Sequence, residues 1–301
     1  MSYPDRGYTP HAGFVAVAGD RAELWRTAAG IVVAIVAGIA LYQLTMAMFA
    51  WVLGPDAMRQ ILDEASYYGD TPRAVLITLF SYVFFAVGLA MALVGLHERG
   101  LLSLLGPWEG ALSDFLRSFM VLTGLYLVLT LLLPTDAGLI RNDAMRTGLW
   151  LALLPLSLLA IAVQAGTEEA FFRGYLQQQL AARFAGWPAW LLVPSALFGL
   201  AHFSPETAGP NATSYMLWAM LFGLLAADLT ARTGTLGAAL GLHIATNAFA
   251  LLGTAMAGPG SGLALYLVPL EIDAPELGAL MPAEFLTIII AWLLVRLTLR
   301  V

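Results

Sequence analysis

Gly166–Thr167–Glu168–Glu169–Ala170–Phe171–Phe172–Arg173–Gly174 puts two adjacent carboxylates directly behind an uncharged apolar run that begins at Thr147. Charge at the end of a hydrophobic helix is costly unless it is paired, hydrated or used. Arg173 lies four residues past Glu169, one helical turn away, so it can face Glu169 but not Glu168. One glutamate has a partner in sequence and the other has none.

The rest of the chain says what kind of helix this is. Of 301 residues, 60% are hydrophobic and 11% charged, and mean hydropathy is +0.80. Soluble domains run near ~45–50% apolar and ~25% charged. A transmembrane helix needs roughly 20 mostly apolar residues. Such segments are expected at 27–55, 74–96, 118–135 and 147–167, the last continuing through Gln177, Gln178 and Gln179 toward Arg183. A fifth restarts at Trp187–Pro188 and runs through Phe203 with His202 inside it. A sixth spans 214–227, a seventh starts near Gly234 and carries His243, and an eighth starts near Glu284. Only 11 uncharged residues separate Glu284 from Arg296, so the eighth spans if its terminal arginines snorkel. Residues 258–282, rich in Gly and Pro, read as a loop with a short apolar piece at the interface.

The expected architecture is therefore an all-α polytopic membrane protein of about eight transmembrane helices around a polar cavity. Residues 1–25 lack a signal-peptide pattern and read as an exposed cytoplasmic tail, with 26–301 as the transmembrane domain. All 14 basic residues are Arg. With the N-terminus cytoplasmic, ten arginines fall on the cytoplasmic side and four (Arg59, Arg73, Arg141, Arg146) on the other. That asymmetry favours cytoplasmic termini in a cell (plasma or inner) membrane. The absence of Cys and Lys excludes disulfides, thiol chemistry and lysine Schiff bases. A net charge of -6 with no basic run gives no reason to expect nucleic acid.

Three constellations place polar groups where lipid disfavours them. Glu168, Glu169 and Arg173 are the first. Phe198 and His202 share a helix face at i,i+4, and so do His243 and Asn247. Gly237 and Gly241 make a small-xxx-small pattern that lets a neighbouring helix approach closely. Each group has a bland reading: an interior His is often only hydrogen-bonded, and Glu169 with Arg173 reads as a structural ion pair. Asp228 with Arg232 looks the same and suggests no function. Together they suggest more. A carboxylate in a poorly hydrated cavity can act as a general base, and an imidazole can orient water. A second imidazole and a carboxamide can donate to the oxyanion of a tetrahedral intermediate. The same atoms could instead ligate zinc, through three protein groups and one water.

The motifs Glu-Glu-xxx-Arg, Phe-xxx-His and His-xxx-Asn, in this order on successive spans, resemble the CPBP family. That family includes the CAAX-type prenyl endopeptidases and the bacteriocin-processing and self-immunity proteins. The resemblance covers about 149–252. It implies that Glu168 activates water beside His202, that His243 and Asn247 stabilise the oxyanion, and that Glu169, Arg173 and Phe198 support the site. No cofactor is favoured, since there is no His-Glu-xx-His helix. If a metal is bound, its ligands are Glu168, His202 and His243. The implied activity is an intramembrane endopeptidase acting on a membrane-associated peptide or protein in a cavity open to the cytoplasm. The rival readings are a transporter or proton relay using the same residues, and a catalytically inactive immunity-type membrane protein.

Overall fold

The computed structural model describes residues 6–65, 69–132 and 138–301. Residues 1–5 of the expected tail and 133–135 of the third expected segment lie outside them. The helices are α1 Thr9–Ala16, α2 Leu24–Leu53, α3 Pro55–Asp63, α4 Pro72–His97, α5 Trp108–Leu132 and α6 Thr147–Glu169. They continue as α7 Gln177–Arg183, α8 Val193–Ala201, α9 Pro205–Ala208, α10 Ala212–Thr233, α11 Gly237–Ala248 and α12 Met281–Leu299. The protein is an all-α polytopic membrane protein. Among the described residues, six stretches are long and apolar enough to cross a bilayer: Leu24–Leu53, Pro72–His97, Trp108–Leu132, Thr147–Arg183, Pro205–Thr233 and Met281–Leu299.

Two of the eight expected segments are shorter. Pro188–Ala201 and Gly237–Gly253 are apolar helices of 10–17 residues. At ~1.5 Å per residue the first is ~21 Å long, against a hydrocarbon core of ~30 Å. It ends at Ala201, so His202 is not inside a span: it caps the helix C-terminus and is exposed, as is Phe203. The final helix, by contrast, is long enough despite Glu284 and Arg296.

The stretch from Thr147 to Arg183 is one continuous helix, as the glutamate pair required. Its winding changes, however. Residues Ala170–Leu176 form a π-helical turn directly after Glu169, a deviation that composition does not announce.

Small residues set the helix spacing. A Cβ on Gly237 would lie 2.0 Å from the Ala111 carbonyl oxygen, and one on Gly241 2.6 Å from Ser118 Cβ. The small-xxx-small pattern thus holds α11 against α5 at backbone contact, beneath a core that includes Leu122, Phe198, Phe222 and Leu242. Gly241→Val is expected to separate the two helices and destabilise the protein by about 1–3 kcal/mol, read as a lowered midpoint in thermal unfolding of the purified protein.

The described part of the expected tail is not wholly exposed. Helix α1 buries His11, Phe14 and Val15 against α7 and α10. Tyr8 donates to Asp228 Oδ1 at 2.6 Å, and Trp292 Nε1 donates to Asp228 Oδ2 at 2.9 Å. The residue that starts α1 and the second half of α12 therefore meet on Asp228. Asp228 also receives Arg232, so that expected pair is a structural clasp. Gln177 Nε2 donates to His11 Nε2 at 3.2 Å, which suits the neutral ring, and burial pushes the His11 imidazole down from 6.5 to about 4. The unfolded segment therefore binds a proton that the seated one refuses. Stability from this group is complete above pH 6.5 and falls as pH drops toward 4. Limited proteolysis within residues 17–23 should accelerate over that window, and His11→Leu should flatten the response.

The 258–282 region is more ordered than a loop. Strands β1 Ile140–Arg141, β2 Thr254–Met256 and β3 Tyr266–Val268 form a small sheet in the order β1-β3-β2. β1 pairs antiparallel and β2 parallel with β3. Strands of two or three residues carry no readable alternation, and their pairing partners lie more than 100 residues apart in the case of β1.

Candidate functional site

The site is built where α6, α8 and α11 converge beside α4. Glu169 is completely buried. Its Oε1 accepts from Arg173 Nη1 at 2.8 Å and from His243 Nδ1 at 2.7 Å. The expected Glu169–Arg173 pair is present, but it also holds His243. That second bond fixes the imidazole: Nδ1 donates to the carboxylate and Nε2 turns to the other glutamate. His243 Nε2 lies 3.7 Å from Glu168 Oε2.

Glu168 is 9% exposed, and its Oε2 is buried without a hydrogen-bond partner among the described residues. Buried polar atoms in folded proteins are overwhelmingly paired. This one borders a cavity of about 410 Å³, whose polar wall is Tyr82, Thr167, Glu168 and His202 and whose remaining lining is apolar. The cavity lies between α2, α4, α6 and the end of α8. It brings Glu168 and His202 onto one space, although His202 comes from a helix end rather than a helix interior. His202 Nδ1 donates to the Phe198 carbonyl at 2.8 Å. In the neutral ring that leaves Nε2 as an acceptor.

Phe198 is the ring around which the charged groups are arranged. The Arg173 guanidinium sits 4.4 Å from its centroid, within cation–π range. His202 lies 4.4 Å away on another side and His243 6.1 Å away edge-on. Phe222 of α10 closes the group, 4.8 Å from His243. Asn247 is half-buried one turn beyond His243, and its Nδ2 donates to Gln164 Oε1 at 2.8 Å. It is therefore tied to the turn of α6 preceding Glu168, and only one of its two amide hydrogens is used there.

Three neighbours were not singled out by the sequence. Gln164 could have been, since it stands four residues before Glu168 in an otherwise apolar run. Tyr82, which lines the cavity beside Glu168, and Phe222 lie in segments with no local signal. For zinc, the alternative ligand set was Glu168, His202 and His243. Among the described residues no three His, Cys, Asp or Glu groups gather as a metal site.

Comparison with known proteins agrees with the motif reading. Residues 149–249 match the family model described as type II CAAX prenyl endopeptidase, Rce1-like. The match encloses all three motifs, from Glu168 to Asn247. The chain is also similar to the uncharacterized protein YyaK of Bacillus subtilis (strain 168), at 28% identity over 198 residues. That similarity covers 62% of this chain and 63% of the relative, less than two thirds of its length. No solved structure matches. The matched family is one of proteases, and the apolar helices make this an integral membrane protein.

Proposed function

We propose that this chain is an intramembrane endopeptidase that hydrolyses a peptide bond with water activated by Glu168 and His202. The observation that carries the reading is the unpaired, buried Glu168 carboxylate oxygen beside a cavity that His202 also lines. In the proposed reaction, Glu168 takes a proton from water while His202 Nε2 accepts that water's second hydrogen. The water oxygen bonds to the substrate carbonyl carbon. The oxyanion so formed accepts from the free amide hydrogen of Asn247, and from His243 Nε2–H in the doubly protonated ring whose Nδ1–H is held by Glu169. Collapse breaks the C–N bond, and the proton held by Glu168 passes to the leaving amine. No step is routed through a metal. Glu169, Arg173 and Phe198 act through the groups they hold.

The apolar lining (Ala34, Ile35, Phe85, Leu89, Phe171, Phe172) suits a membrane-associated peptide with an apolar flank. Both termini are assigned to the cytoplasmic side of a cell (plasma or inner) membrane, with the cavity opening to that side. Because the chain has no Cys, single Glu109→Cys and Asp143→Cys variants test this. The first should label only from the cytoplasm and the second only from outside.

The activity test uses purified protein in nanodiscs with prenylated and unmodified membrane peptides, and mass spectrometry of the products. His202→Ala should lower cleavage by about 100-fold or more. Its unfolding midpoint should hardly move, because His202 is exposed. Equal cleavage by both proteins would remove His202 from the reaction. Proton-driven flux in liposomes without any cleavage would point instead to transport.

A further inference from the structure

A second pocket, of about 210 Å³, lies at the α1 end of the bundle and shares no lining residue with the Glu168 cavity. It is lined by Val17, Ala18, Asp20, Arg21, His97, Glu98, Arg99 and Gln179. The chain reaches it from just before α2, from the C-terminus of α4 and from α7. Nothing in the proposed hydrolysis uses it.

Its floor holds a cation whose charge is not matched. Arg99 Nη1 donates to Gln178 Oε1 at 2.6 Å and to Ser103 Oγ at 3.3 Å. With the Gln179 amide oriented to satisfy its neighbours, its oxygen accepts from Arg99 Nη2 at 3.1 Å and its nitrogen donates to the Arg21 carbonyl. All three acceptors are neutral, and no carboxylate pairs with Arg99 among the described residues. The two acids of the pocket stand at its rim. Glu98 is bound to Arg21 at 2.6 Å and is 66% exposed, and Asp20 is exposed. Partial burial pushes the Arg99 guanidinium down to about 10, so it remains charged at neutral pH. A guanidinium withdrawn from water without a counter-ion is unfavourable, and its planar fork fits an oxyanion.

The level of the pocket indicates which oxyanion. Spans α2 and α4 end beside it, at Leu24 and His97, so it sits at the boundary of the hydrocarbon core. Trp25, on the outer face of α2, is 60% exposed, with Arg26 over its ring at 4.7 Å. An exposed Trp at a span end marks headgroup depth. We propose that this pocket binds the phosphate of a phospholipid headgroup through Arg99. Gln179 and His97 form the floor, and the Arg21–Glu98 pair forms the rim. The site is independent of the hydrolytic reading.

The experiment compares wild type with Arg99→Gln and Gln179→Glu. The probes are inorganic phosphate in detergent and nanodiscs of phosphatidylglycerol, followed by native mass spectrometry of retained lipid. Wild type should retain phosphatidylglycerol and be stabilised by it. Arg99→Gln should lose retained lipid at least tenfold. Gln179→Glu supplies the missing carboxylate, so it should exclude lipid while raising the lipid-free unfolding midpoint, which separates ligand loss from misfolding. Stabilisation by inorganic phosphate alone, with no lipid retained, would overturn the lipid assignment. Equal lipid retention by all three proteins would overturn the site.

Discussion

Glu168→Gln is expected to fold normally and to lose peptide hydrolysis by about 100- to 10,000-fold. The amide keeps the shape of the side chain and removes its ability to take a proton from water. The stability consequence runs the other way. In the wild type Glu168 Oε2 is buried without a partner, 3.7 Å from His243 Nε2. Replacing an under-satisfied buried carboxylate by an uncharged group relieves desolvation, so the unfolding midpoint should be unchanged or raised. This combination, activity lost and stability kept, is the usual mark of a group retained for chemistry. It is checked by initial rates on a membrane peptide and thermal unfolding in the same nanodiscs. Wild-type rates would sink the proposed base, and a collapsed midpoint would mean that Glu168 holds the fold together.

The neighbouring carboxylate should behave in the opposite way. Glu169→Gln removes the counter-charge of Arg173, whose side chain is 1% exposed, and the acceptor that orients His243. Breaking one side of a buried ion pair costs about 3–5 kcal/mol, so a large fall in stability is expected, and loss of activity should follow it. The double variant Glu169→Gln/Arg173→Met no longer strands a buried guanidinium. It should recover much of the lost stability without recovering activity, because His243 stays unfixed. That non-additivity is a coupling energy readable from the four unfolding free energies. Additive losses would show that the pair is not coupled.

The contrast between the two glutamates was partly legible in the sequence. Arg173 at i+4 from Glu169 was sufficient to separate the paired residue from the unpaired one. Helix existence was equally legible, because lipid demands long uncharged runs and the chain supplies them. The failures have physical causes. Helix ends in an apolar run are not marked by charge, so the sequence does not show the stop at Ala201 that leaves His202 outside the span. The burial of α1 depends on Asp228 and on α7 and α10, far along the chain, while its own composition resembles an exposed tail. Tyr82 entered the site only through the packing of α4 on α6. The small sheet around β3 similarly arises from distant pairing rather than local preference.

The seating of α1 also has a consequence in time. Tyr8 and Asp228 are 220 positions apart. A ribosome adding about 5–20 residues per second exposes Asp228 roughly 10–45 s after Tyr8. Of its two partner helices α7 comes first, so until α10 follows the apolar face of α1, with Phe14 and Val15, is only partly covered. Helix α1 is thus made long before its seat is complete. Its final seating waits on a residue 220 positions further along the chain.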